Sequence, residues 1–337
     1  MLREGATHLC KIGVMECVLA GMGRRLRYIP EGGAVVEITS RTLGSRFLLK
    51  PSCEVNEIIV GVLARAQRFY EVPVHAVVFM SNHYHLLISV EDACQMARFM
   101  NYVNGILAKK VGRLYDWNAK LWSRRYQGIL VLEQESAQLE RLRYILSHGC
   151  KEGLVGRPHE WPGVHTVKAL LEGTPLKGLW FDRTREHQAC SRGKVFHRLE
   201  FATVETLELT PLPCYGHLSK VAYRGLIAEL VAEIEAQTQE RHRIEETVPL
   251  GIHLALAISP HESPEKSKKS WAPLVHAATR AARREFKEAY GWFVGAYRAA
   301  ADKLRQGDLS AAFPPGSFIP SLAIIDWRYR SRARAPG

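Results

Sequence analysis

An apolar run, Val74 to Met80, meets a second run, His83 to Val90, across the two residues Ser81-Asn82. Two such arms joined by a tight turn read as a β-hairpin, which needs further strands or helices around it to be stable. Residues two apart on a strand share a face. Tyr84, Leu86, Ile88 and Val90 therefore make a core face, while His83, His85, Leu87 and Ser89 point the other way. Two imidazoles side by side are a pair of metal-ligating nitrogens. His-x-His on a half-buried strand also arises by chance, so the pair carries little alone.

A second stretch adds weight. Leu139 to His148 reads as a helix opened by Ser136, with Leu139, Leu142, Ile145 and Leu146 as one apolar stripe. Tyr144 and His148, at i and i+4, stack on the opposite side. A tyrosine set against its helix's apolar stripe is unusual for a core residue; the plain alternative is a half-exposed tyrosine at a helix–sheet seam.

Around these stretches the pattern continues. Val35 to Arg41 reads as a strand after the turn signal Pro30-Glu31-Gly32-Gly33, Glu54 to Tyr70 as a helix, Asp92 to Leu114 as another, and Gly128 to Glu133 as a last strand. The order β-α-β-β-α-β-α fits an α+β, ferredoxin-like fold: a four-stranded antiparallel sheet with two helices on one face. The histidine pair then lies on a central strand, and its face is left for the Tyr144 helix.

Composition narrows the function. Lys and Arg number 46 against 34 Asp and Glu, giving +12 and a pI near 9.4, which favours a polyanionic partner. The seven cysteines are scattered with no Cys-x-x-Cys, against a zinc ribbon or a disulfide scaffold and in keeping with a reducing cytoplasm. No apolar run reaches membrane-span length, so no membrane partner is expected. Lys109, Lys110, Arg113, Lys120, Trp122, Arg124, Arg125 and Tyr126 interleave charge with aromatics, as a single-strand groove requires. Arg24, Arg25, Arg27 and Arg41 add basic groups near the first strand. A loop whose Trp122 plugs the core explains that residue equally well.

Several ordered segments carry a resemblance. The strand-borne His83-Tyr84-His85 and the lone Tyr144 some sixty residues later are joined by Arg24-Arg25-Leu26-Arg27-Tyr28-Ile29-Pro30, Ile38-Thr39-Ser40-Arg41, Leu121-Trp122-Ser123-Arg124-Arg125-Tyr126, Gly153-Leu154-Val155 and Glu160-Trp161-Pro162. Over about residues 22–170 the chain resembles the HUH-type single-tyrosine transposases, with the REP-associated and insertion-sequence-200-like enzymes nearest. That resemblance implies an HUH nuclease fold. It implies a divalent metal, Mg2+ or Mn2+, held by His83 and His85, and Tyr144 as nucleophile on a phosphodiester of single-stranded or hairpin DNA, with a 5′-phosphotyrosine intermediate. His148, one turn beyond Tyr144, is placed to be the third ligand, and Arg141 flanks the tyrosine. Relatives often carry Asn-Pro where this chain has His148-Gly149.

Two alternatives stay open: a domesticated DNA- or RNA-binding protein that no longer cuts, and a replication-initiator or relaxase-like nickase. The catalytic helix holds one tyrosine rather than two, and no helicase-type phosphate loop is present in the sequence, both against the latter. Relatives tend to begin just before the Arg24-Arg25-Leu26-Arg27-Tyr28-Ile29-Pro30 segment, so either Met22 is the natural start or residues 1–21 are a disordered leader. Residues 171–337 are expected to be a helical accessory domain, with helices over 219–243 and 273–306, a linker near 261–270 and a disordered basic tail. The expected setting is cytoplasmic and nucleoid-associated, as monomer or homodimer.

Charge of this sign generates one expectation. Affinity for single-stranded DNA should fall steeply between 50 and 200 mM salt, by roughly 10³-fold or more if several phosphates are neutralised. A flat salt response in a filter-binding titration would argue against a phosphate-tracking surface.

Overall fold

Strand β1 (Ala34–Arg41) pairs antiparallel on both sides, and the sheet grows outward from it. The computed structural model describes residues 25–193, 195, 197–265 and 272–319. The expected leader 1–21, Met22, Arg24, the end of the expected linker and the basic tail lie outside the described residues. The chain divides into two units, one formed by Ala34–Val90 and Gln95–Ala278, the other by the described parts of the segments before Ala34, around 91–94 and after Ala278.

In the larger unit α1 (Cys53–Tyr70) follows β1. The Ser52 side chain caps its start by accepting from the Val55 N–H, and Val55, Ile59, Val62, Leu63 and Ala66 form its buried stripe. Then come β2 (Val74–Phe79), β3 (His83–Val90), α2 (Ala93–Leu114), β4 (Gln127–Val131), α3 (Glu135–Leu146) and the single turn α4 (His148–Lys151). The strand order is β2-β3-β1-β4, antiparallel throughout, which is the ferredoxin-like arrangement expected from the element order. A fifth strand, not foreseen, joins it: β7 (Val275–His276) pairs parallel with β4. The sequence pattern assigned Val275 and His276 to a long helix. Instead Val275 is buried against the sheet edge, and the helix starts only after Thr279.

Alternation in β3 sets the two layers. Tyr84, Leu86 and Ile88 are fully buried on one face, where the Tyr84 hydroxyl donates to Asn104 of α2. On the other face Leu87 joins Val35, Ala76, Val78 and Val131 against Leu142, Ile145 and Leu146 of α3. The helix begins at Glu135, one residue before the expected Ser136. Gln134 at its N-cap makes no side-chain cap and instead accepts the Ala278 N–H.

Residues past 170 complete this unit. Helix α5 (Val167–Glu172) leads to the hairpin β5 (Leu176–Phe181) and β6 (Ala202–Leu207), which packs on α1. Gly61 and Gly178 permit that approach: a Cβ on Gly178 would meet Val60 and the Gly61 backbone below van der Waals distance. Helix α6 (Lys220–Ile244), capped by Ser219, places Tyr223, Ile227, Leu230, Val231 and Ile234 into the core behind α3. Trp161 donates its indole N–H to the Phe79 carbonyl, and Thr166 pairs with Val77, so the outer edge of β2 is covered rather than open.

The smaller unit holds α7 (Arg280–Arg305), started by Thr279, whose Phe286, Tyr290 and Phe293 surround Tyr28 at ring-centroid distances of 4.5–6.1 Å.

His75 ties β2 to its neighbours. Its Nδ1 lies 2.8 Å from the Thr210 carbonyl and its Nε2 2.8 Å from the Ser89 hydroxyl. Burial pushes this imidazole down from its ordinary 6.5 to about 4. The unfolded chain therefore takes up a proton near pH 6.5 and the folded one only near pH 4. Stability from this group is complete above about pH 6.5 and is lost as pH falls towards 4, by on the order of 3 kcal/mol. His165 behaves the same way. Urea unfolding at pH 7 and pH 4.5 should show the loss, and His75→Asn should remove part of it; an equally acid-sensitive variant would contradict the assignment.

Candidate metal and nucleophile site

The β1–β3 register puts Arg41 opposite His83, Thr39 opposite His85 and Glu37 opposite Leu87, all facing α3. Backbone pairing alone thus lines one patch of sheet with two imidazoles, a carboxylate and a guanidinium. Helix α3 crosses above, and His148 opens the turn beyond it. The ring centroids of His83, His85 and His148 stand 4.6–5.4 Å apart, and one ligand atom from each lies within 4.8 Å of the others. Tyr144 stands with its ring centroid 5.3 Å from His85 and 5.3 Å from His148.

The outer ring nitrogens are held. Asn82 donates through Nδ2 to the Ser45 carbonyl, which turns its Oδ1 to His83 Nδ1 at 2.7 Å. Glu37 Oε1 lies 2.7 Å from His85 Nδ1. Each Nδ1 then carries the proton, and each Nε2 presents its lone pair inward. His148 Nε2 stands 2.8 Å from His83 Nε2, and His148 Nδ1 is buried without a hydrogen-bond partner among the described residues. A neutral His148 can donate to His83 only by leaving a bare acceptor at its buried Nδ1; the other tautomer sets two lone pairs against each other. A cation between the nitrogens removes the clash of lone pairs and leaves the proton on His148 Nδ1, since nitrogens bound to one ion at about 2.1 Å stand about 3 Å apart. The three residues therefore fit a metal ion.

Electrostatics agrees. Burial, reinforced by His85 and Arg41, holds His83 well below the ordinary histidine range; burial, His85 and His83 do the same for His148. Both are neutral donors at neutral pH. Burial would raise the Glu37 carboxyl, but the contacts and charge of His276 and His85 outweigh it and hold Glu37 well below the carboxylate range. Tyr144 is pushed up, first by burial and then by Glu37, against the opposing Arg141. The Arg141 guanidinium and the Lys151 ammonium lie 4.8 and 4.2 Å from the Tyr144 ring centroid.

The other residues chosen from the sequence fall in several places. Arg41 and Arg141 are at the site. Arg25 and Arg27 belong to the smaller unit, where Arg27 stacks over Phe318 at 4.5 Å. Lys109, Lys110 and Arg113 lie on α2, which covers the Tyr84 face of the sheet, away from the histidines; Lys110 reaches the Trp180 ring at 4.2 Å. Lys120 and Arg124 are exposed in the segment before β4, with Arg125 half-buried beside them. The expected stacking role of Trp122 and Tyr126 meets a difference. Tyr126 is buried, and Trp122 donates to the Asn104 carbonyl and packs edge-on to Tyr84, so both rings serve the helix-covered face.

Four site groups escaped the sequence reading: Glu37, Asn82, Lys151 and His276. Glu37 left a trace, a carboxylate inside the apolar run Val35-Val36-Glu37-Ile38. His276 left none, because its strand lies far along the chain. The His148-Gly149 departure has a local reason: a Cβ on Gly149 would meet Val155 Cγ2 at 3.0 Å, with Trp161 beyond it.

Comparisons with known proteins follow this geometry. Residues 48–147 match the family described as "Transposase IS200 like", a span holding His83, His85 and Tyr144 and ending one residue before His148. Among curated proteins no relative matches the chain. Of solved structures, one assigned as a transposase from Deinococcus radiodurans R1 is 19% identical, with 36% of this chain and 93% of that chain covered and a TM-score of 0.26. A REP-associated tyrosine transposase bound to a REP hairpin is 16% identical, with 52% and 89% covered and a TM-score of 0.35. Across residues 48–147, with the histidine strand and the tyrosine helix inside that span, the chain is similar to the IS200-like transposase family.

Proposed function

We propose that this chain is a metal-dependent single-stranded DNA endonuclease and strand transferase with Tyr144 as its nucleophile, acting in DNA transposition. One observation carries the reading: Tyr144, from a helix, and three inward-facing imidazoles, two of them from a strand, converge within 5.4 Å between ring centroids, with two cations against the tyrosine.

His83, His85 and His148 are the ligand set. A divalent ion there supplies Lewis acidity to a phosphoryl oxygen and fixes its orientation. Three nitrogen donors tilt the choice from Mg2+ towards Mn2+, though magnesium's cellular abundance keeps it in play. The Tyr144 oxygen attacks phosphorus; the bond to the departing 3′ oxygen breaks, leaving a 3′ hydroxyl and a 5′-phosphotyrosine. The covalent link conserves the bond for rejoining. Arg141 favours the phenolate, against the burial and the Glu37 charge that together hold the proton on. The partner is single-stranded or hairpin-forming DNA, in keeping with the family match and the +12 charge.

Purified protein incubated with labelled hairpin DNA and Mg2+ or Mn2+ should give a covalent adduct on a denaturing gel. Tyr144→Phe should give none. The His83→Ala, His85→Ala double variant should fold yet lose cleavage by on the order of 10³-fold or more, and unchanged cleavage would remove the metal from the mechanism. His148→Gln should keep activity with an altered metal preference. Salt-sensitive binding without any adduct, over several hairpins, would favour the non-cleaving binder instead.

A further inference from the structure

Glu37 is 2% exposed, in the middle of the sheet, and its two oxygens face different partners. Oε1 makes a hydrogen bond with His85 Nδ1 at 2.7 Å; Oε2 lies 2.7 Å from His276 Nε2 as a close ion-pair contact without hydrogen-bond alignment, with Arg141 at 3.7 Å. A carboxylate taken out of water costs several kcal/mol unless its oxygens are well matched. Its place here is specific. It touches the ring nitrogen of His85 that faces away from the other two imidazoles, the position from which a carboxylate fixes tautomer and ring angle. His276 is brought to it by backbone pairing: Val131 pairs with His276, and the Leu132 N–H donates to the His276 carbonyl.

We propose that Glu37 and His276 are positioning residues for His85, so that β7 completes the metal centre from well beyond the family-matched segment. The inference rests on the metal reading of the three histidines. Its logic is mechanical. His276 draws one carboxylate oxygen by its proximity at 2.7 Å so that the other stays on His85, and His85 keeps its Nε2 aimed at His83 and His148. A glutamine at 37 can accept through one oxygen only. Its amide group then faces one of the two imidazoles, and one of the two contacts is lost.

The test uses Mn2+ alone with the 337-residue chain, without DNA, so that cleavage is not the readout. Binding is followed by loss of the free-ion paramagnetic resonance signal, and unfolding temperature is measured in parallel without metal. Wild type should bind one ion and His85→Ala none. Glu37→Ala should weaken binding by roughly 10- to 100-fold, and His276→Ala by roughly tenfold. Glu37→Gln and His276→Gln stand in if the alanine variants do not fold. Glu205→Gln is the control: it removes a buried carboxylate that pairs with Arg65 and Arg68 elsewhere in the unit, and should lower stability while leaving Mn2+ affinity unchanged. Wild-type affinity in the folded Glu37 and His276 variants overturns the proposal. So does an equal loss in Glu205→Gln, which would make the effect one of general stability. A wild type that takes up no Mn2+ is a separate result: it overturns the metal reading, and this inference with it.

Discussion

The antiparallel register between β1 and β3 is the constraint on which the site depends. Side chains alternate with period two, so a slip of one residue would exchange the Tyr84 face for the His83 face. Both faces are costly to exchange. Tyr84, Leu86 and Ile88 are buried under α2, and Leu87 under α3. Hydrophobic burial on both sides thus locks a polar pair in place. That differs from a half-solvated sheet, where one side would tolerate slippage. The same register aligns Glu37 and Arg41 with the histidines, so one pairing decision positions four polar groups.

Those groups then trade charge in a dry setting. His83 and His148 are kept neutral by burial and by the neighbouring imidazoles, while the carboxylate is kept ionised by the His276 and His85 contacts despite burial. The result is a pair of neutral donors beside a fixed negative charge, which suits an arriving cation. Tyr144 sits at the border of this field. Glu37 and burial hold its proton on, and Arg141 works against them. The phenol is therefore held in its protonated form by its surroundings.

Much of this was readable from the chain. The hairpin, the face carried by His83 and His85, the helix carrying Tyr144 and the β-α-β-β-α-β order all follow from local periodicity, which short-range sterics enforces. What stayed hidden depends on contacts between distant segments. Trp122 and Tyr126 looked like stacking faces because they sit among arginines, yet neighbouring positions on a loop do not say which way a ring turns. Val275 and His276 looked helical because they precede a strong helix; a two-residue parallel pairing leaves no periodic signature. Glu37 was the intermediate case, a carboxylate whose oddity in an apolar strand was visible but whose partners were not.

The segment beyond residue 170 also bears on the site through the end of the Tyr144 helix. The last carbonyls of a helix have no partner within it and must find one. Here Arg241 of α6 donates to the Cys150 and Lys151 carbonyls at 2.6 and 3.2 Å, and His165 Nε2 lies 3.1 Å from the Leu146 carbonyl. A cation at this end also opposes the helix dipole favourably. Residues 146–151 hold His148 and Lys151, the two groups that face Tyr144 from the turn beyond it. Their placement therefore depends on α6, whose apolar side is itself packed behind α3. Strand β7 acts on His85 from one side and α6 on His148 from the other. Two of the three imidazoles are thus braced by chain that lies outside the family-matched span, which makes the extension a mechanical part of the centre rather than an appendage to it.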